Sequence, residues 1–328
     1  MFIRFFRSTG AQIIIAIPFF GLLLWLRPIL KAPDVTFLFD NHPMPLYKFV
    51  TDMIPYTSFY GTILTYILVI MQGFLLVRLN TRFIFINNRS YLPAFFFIFI
   101  SACIPDLQRL NPVIFSGFFL LLALEKIFES YKAEKIAYEF FLAAFFVSIG
   151  SLFYPFLLFF LFTLWIGLGI LRPFNWREWV FTILGFLIPQ FFIFSFYYLV
   201  HNDPVRLFHD YTGIFEASYK FHEYNLPILT FMGYMAIISL LASQFMVRSF
   251  QSKKILPRKG FIVFLWLFIN CVAVFIFIRQ ASVELIFIAS IPLSYLLAHF
   301  FALMKSTFWG NAFLLVMILI LVWIQVWG

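Results

Sequence analysis

The stretch LKAPDVTFLFDNHPMPLYKFVTDM, residues 30–53, follows the first long apolar run and governs how the rest of the chain is read. It holds Asp34, Asp40, Asp52 and His42, in a chain with 63% hydrophobic residues, 11% charged residues and 52 Phe. A soluble domain carries roughly 25% charged residues. A surface this poor in charge belongs in a bilayer, so the stretch reads as a loop at a membrane face. Within it Leu46, Phe49, Val50, Met53 and Ile54 recur at helical spacing, with Lys48, Thr51 and Asp52 on the opposite side and proline at both ends. That pattern predicts a short helix lying in the membrane interface.

Outward from this loop, the sequence predicts an all-α, polytopic membrane protein with about eleven apolar segments. Their cores fall near 11–27, 57–77, 91–104, 112–125, 137–152, 155–171, 179–200, 227–247, 261–278, 285–303 and 311–328. The third and fourth are short, which predicts either tilted helices or burial of PDLQRLNP, residues 105–112, inside the protein. The break LFYPF, residues 152–156, reads as a tight turn or a kink. MFIRFFRSTG and the run after it lack a small-x-small cleavage site, so the first apolar run is expected to remain as a span.

Basic residues give the expected direction. With the N-terminus in the cytoplasm, Arg27, Lys31, Lys48, Arg109, Arg206, Lys220 and Arg279 fall outside, and the other 16 of the 23 Lys and Arg fall inside. QSKKILPRKG, residues 251–260, is the strongest cytoplasmic marker. The C-terminus is then periplasmic. The net charge of +9 follows this loop pattern, so no nucleic-acid partner is expected. Cys103 and Cys271 lie in or at the end of apolar runs and read as small membrane residues rather than as a disulfide or thiolate site.

Three groups of polar residues remain. Asp40 closes the apolar run VTFLF and is held near the membrane surface, and Asp106 sits in a loop too short to leave the ends of its spans. Asp34 and Asp203 read as turn or cap residues. Glu284 reads as a hydrating loop acid. His201, His209 and His222 are not at the i, i+4 spacing of a helical metal site, and His299 reads as an interhelical hydrogen-bonding residue. Asn270, Gln72, Gln190 and Gln244 read as glue between helices. No acid falls near a span midplane, which counts against ion-coupled transport.

The order of these features resembles the GT-C superfamily of membrane glycosyltransferases. A long acidic outer loop follows span one, a short outer loop carries Asp106, and a long loop after span seven carries Arg206. The resemblance covers about residues 1–215. It implies a periplasmic glycosyl transfer from a polyprenyl-phosphate sugar donor, in envelope glycan or glycolipid assembly. It implies catalytic carboxylates at Asp40 or Asp34 on the first outer loop and at Asp106 on the second, and Arg206, His201, His209 and His42 as substrate contacts. No metal ligands are assigned, and the cofactor is open, a divalent cation being compatible. It divides the chain into a GT-C-like module, 1–226, and further helices, 227–328. NNRSYLPAFFF (87–97), SLFYPFLLF (151–159) and LRPFNWREWV (171–180) resemble uncharacterised Phe-rich inner-membrane proteins of Bacteroidetes, which implies a bacterial inner membrane. Two other functions fit the same residues. One is a non-catalytic membrane subunit scaffolding an envelope complex with protein partners. The other is a lipid or polysaccharide transporter.

Overall fold

The computed structural model describes residues 10–86, 90–131, 137–201, 211–213, 226–251, 253–304 and 306–327. Among these residues the regular structure is helical. In chain order the α-helices are α1 (Ala11–Leu30), α2 (Leu38–Asn41), α3 (Pro45–Met53), α4 (Phe59–Phe83), α5 (Leu92–Ser101), α6 (Pro112–Glu129) and α7 (Ala137–Ser151). They continue with α8 (Leu161–Leu171), α9 (Trp176–His201), α10 (Leu226–Ser249), α11 (Ile255–Phe277), α12 (Ile286–Leu303) and α13 (Thr307–Trp327). Short 3₁₀ turns occupy Pro105–Leu107, Pro155–Phe160 and Val283–Leu285.

A helix thus forms at each of the expected apolar segments, but they are not equivalent. Among the described residues seven are long and apolar enough to cross a membrane: Gln12–Leu30, Phe59–Phe83, Trp176–Val200, Leu226–Ser249, Ile255–Phe277, Val283–Leu303 and Phe308–Gln325. Leu92–Ser101, Tyr138–Ser151 and Pro155–Leu171 are shorter. A bilayer core is about 30 Å thick and a helix rises 1.5 Å per residue, so α5, with ten residues, covers roughly half of it. The tertiary structure explains the shortness. Every residue of α5 is buried, and it packs on α12, with Phe96 and Phe301 at 5.0 Å between ring centroids. A helix enclosed by other helices has no lipid thickness to match. The peripheral α1, α9 and α13 instead expose apolar side chains, such as Phe19, Phe192 and Leu319, as bilayer-facing helices do.

Local sequence sets the helix starts that matter for the site. Ser58 accepts a hydrogen bond from the Gly61 N–H at 3.0 Å and caps α4. Asn111 caps α6, accepting from the Val113 N–H at 2.9 Å, with Pro112 at the first helical position.

Hydrogen bonds join the loops into two ends. At one end the Lys253 Nζ donates to the Phe85 carbonyl, Lys259 to the Leu171 carbonyl, and Arg172 to the Ser130 carbonyl. Arg82 pairs there with Glu125 and Glu129, and Lys126 with Glu139. At the other end Leu46 N–H donates to the Leu152 carbonyl, Tyr154 to Glu284, and Gln325 to the Ala102 carbonyl. The break at Tyr154 is therefore a turn: Glu139 near the start of α7 and Leu171 at the end of α8 lie at the same end. Gln72 ties α4 to α6, Asn270 ties α11 to Thr163, and Gln190 ties α9 to Ser151. One hydrophobic cluster runs through residues on both sides of position 226.

Two expectations change. His299 makes no interhelical hydrogen bond among the described residues, because both ring nitrogens are buried against aromatic rings, Phe261 at 5.5 Å and Phe245 at 6.1 Å. Lys253, in the most basic loop, is only 8% exposed, its ammonium 4.9 Å from the Phe261 ring centre. Burial pushes that ammonium down to about 8.

Candidate functional site

The stretch 30–53 folds as a structured rim. Its helix α3 forms where the spacing predicts, but Phe49 and Met53 are exposed and Tyr47 is fully buried. Part of the apolar stripe, Phe49 and Met53, therefore points away from the protein, while Leu46, Val50 and Ile54 are half-buried and Val50 packs on the hydrophobic core. Tyr47, on the other side, fastens the helix to the bundle.

The segment between α5 and α6 turns inward. Gln108, Arg109, Leu110 and Asn111 are each 0% exposed. Irregular backbone at this depth is tolerated only where protein encloses it, and here side chains supply the bonds. Gln108 donates to the Leu24 carbonyl at 3.4 Å and accepts from Gln325, while Arg27 donates to the Gln325 carbonyl at 2.7 Å. The ends of α1 and α13 are thereby locked onto the segment.

Its centre is Arg109. One terminal nitrogen, Nη2, pairs with Asp40 Oδ2. The Phe37 N–H donates to the same oxygen at 2.8 Å, so Asp40 also closes the first turn of α2. Tyr47 lies with its hydroxyl 3.1 Å from the Leu110 carbonyl and 3.5 Å from Asp40 Oδ1. Burial, with the Asp40 charge beside it, pushes the Tyr47 phenol well above its ordinary value. The guanidinium lies against three rings, 4.5 Å from the centre of Tyr56, 5.2 Å from Phe37 and 5.6 Å from Phe39. Such contacts strengthen when water is excluded. The arginine is not saturated, however. Its Nε and Nη1, the Asn111 Nδ2 and the Trp25 Nε1 are buried without a hydrogen-bond acceptor among the described residues. A buried donor without an acceptor is costly, about 1–3 kcal/mol, and the two free nitrogens of Arg109 are donors of the kind that an anionic or carbonyl oxygen satisfies.

The other expected site residues are distributed as follows. Asp34 is exposed in the irregular segment before α2. Asp106 is half-buried on the 3₁₀ turn, three residues before Arg109. His42 is exposed at the end of α2, and a side chain at Gly213 would approach its Nδ1 to 3.7 Å, so the rim meets residues 211–213. His201 is the last residue of α9. Arg206 and His209 lie outside the described residues, as does Asp203. Glu284 is not a hydrating acid. It is 3% exposed, and its Oε1 accepts from the Tyr154 hydroxyl at 3.1 Å and the Ser282 N–H at 3.0 Å. Among the described residues no three His, Cys, Asp or Glu side chains group to hold a metal ion.

Sequence reasoning passed over Arg109, which entered only as one basic residue on the sparsely charged face. The signal was available: a cation in a segment too short to reach water must be neutralised locally. The aromatic enclosure by Phe37, Phe39 and Tyr56 had no such signal.

The fold and this polar centre define an α-helical, multi-pass membrane protein with a buried ion pair tying two loops at one end of the bundle. The chain belongs to DUF6427, a family of unknown function, whose profile matches residues 44–326. No curated protein and no solved structure matches the chain.

Proposed function

We propose that this protein works in a bacterial inner membrane and receives a lipid-linked, phosphate-bearing substrate at the Arg109 end of the bundle, on the periplasmic side. The reaction class is glycosyl transfer from a polyprenyl-phosphate-linked sugar, in the GT-C manner, for envelope glycan or glycolipid assembly. The observation that carries the reading is the half-satisfied guanidinium of Arg109, with the Asn111 Nδ2, two residues on in the chain, also buried without a partner among the described residues. A guanidinium grips two phosphate oxygens at once, and positive charge on a leaving phosphate stabilises the transition state. Asp40 holds the guanidinium in place. Asp106, three residues before Arg109 in the chain, is the carboxylate assigned to take the acceptor's proton. Arg206, His201, His209 and His42 are the residues assigned to complete the phosphate and sugar contacts.

The test is polyprenyl-phosphate affinity of the purified wild type, Arg109→Lys and Arg206→Lys. Loss of bidentate contact in Arg109→Lys weakens binding by about 1–3 kcal/mol. Equal affinity in a folded Arg109→Lys protein removes Arg109 from the site. Absence of binding by the wild type removes the lipid carrier.

A second reading, a non-catalytic subunit that scaffolds an envelope complex, is favoured by the engagement of both Asp40 oxygens within the protein. The pair is then a staple between loops. Full complementation of a deletion strain by Asp34→Asn and by Asp106→Asn, with Asp40 intact, selects this reading.

A further inference from the structure

A cavity of about 250 Å³ opens on the lipid-facing side of the bundle between α10, α11 and α12. Phe231, Met235, Ser239, Phe268, Cys271 and Ala289 line it. Ser282 and Val283 close it toward the Arg109 end, and Ile100, at the end of α5, forms part of its floor. The walls are apolar apart from two serines, and the Ser239 hydroxyl is buried without a partner among the described residues. The cavity lies along helices long and apolar enough to cross a membrane.

We propose that this groove holds one acyl chain of a bilayer phospholipid. Three observations decide between occupants. The medium at this depth is hydrocarbon, so an aqueous solute has no route in, and water finds too few polar partners on these walls to be held. A second helix is excluded by size, since a helix with its side chains is about 10–12 Å across. A cavity of about 150 Å³ takes a benzene ring, so this one takes a length of single chain and is too small for most of a long isoprenoid. The inference does not rest on the phosphate-site reading, because no residue of the Arg109 centre lines the groove.

The test uses wild-type protein in vesicles of phosphatidylglycerol bearing a diazirine on one acyl chain, irradiated and mapped by peptide mass spectrometry. Bulk lipid reaches exposed Ile237 and Leu240 on α10 in any case. It cannot reach Met235, 7% exposed, or Cys271, 3% exposed, from outside the groove. Labelling at Met235 and Cys271 is therefore expected, together with its loss in Ala236→Trp and Ala289→Phe, which fill the groove, while labelling at Leu240 persists. Thermal melting of both variants confirms that they remain folded, and a single folded variant suffices. Labelling confined to Ile237 and Leu240 in the wild type overturns the proposal. So does Met235 and Cys271 labelling that survives in a folded groove-filling variant, or that polyprenyl phosphate removes but unlabelled phosphatidylglycerol does not.

Discussion

Arg109 and Asp40 stand 69 positions apart in the chain and meet in an ion pair from which water is excluded, the arginine at 0% exposure. The contact joins the loop after α1 to the segment between α5 and α6. It gives a charged residue a buried partner and fixes α2 against the bundle.

This pair sets the first expectation. Asp40→Asn and Arg109→Met each leave one member of a buried pair uncompensated, at about 3–5 kcal/mol. The double variant removes both charges, so it melts above either single variant in detergent. A double variant whose loss equals the sum of the singles shows that the two residues do not act as a pair.

Lys253 gives a pH dependence. Its ammonium titrates near 8 in the folded chain, below the ordinary 10.5. Below pH 8 both folded and unfolded chains carry the charge, and the folded chain bears the full penalty of burying it. Between those values the folded chain has shed its proton and the penalty shrinks, so this contribution to stability rises with pH. Lys253→Met keeps the apolar stem and is expected to raise the melting temperature at pH 7, with a gain that disappears above the ordinary lysine value. A gain that is independent of pH refutes the burial account.

Helix approach is tested at two glycines. A methyl at Gly185 of α9 would sit on the Phe141 backbone carbonyl of α7, whereas one at Gly233 meets nothing within 4 Å. Gly185→Ala should destabilise by about 1–3 kcal/mol, since backbone must move. Gly233→Ala should be neutral or stabilise by up to about 1 kcal/mol through helix propensity. Equal melting temperatures for the two variants contradict this packing.

The two ends of the bundle are separable by labelling. Asp52 and Lys254 are exposed, and both native cysteines are buried. Cysteines placed at Asp52 and at Lys254 are expected to react with a membrane-impermeant maleimide from opposite sides, Asp52 from the periplasm. Reaction of both from one side breaks the alternation of helices that the loop hydrogen bonds describe.

Composition and periodicity were enough to assign a helical membrane chain, to locate its apolar helices and to find α3, because hydrophobicity and its 3.6-residue recurrence are local properties. They also singled out Asp40 and Asp106 among the acids, of which Asp40 pairs with Arg109 and Asp106 is half-buried. Local patterns could not show what surrounds a polar residue. The neighbours of Arg109 come from segments centred on Phe37, Tyr47 and Tyr56, and those of Glu284 from Ser282 and from Tyr154, which is 130 positions away. The same limit explains the helix lengths: a segment's hydropathy does not distinguish α5, which is enclosed by protein, from a helix that must match a bilayer. Burial of 105–111, the outward turn of Phe49 and Met53, and the conversion of two loop charges into one buried pair were decided by packing, because each depends on which distant surfaces exclude water together.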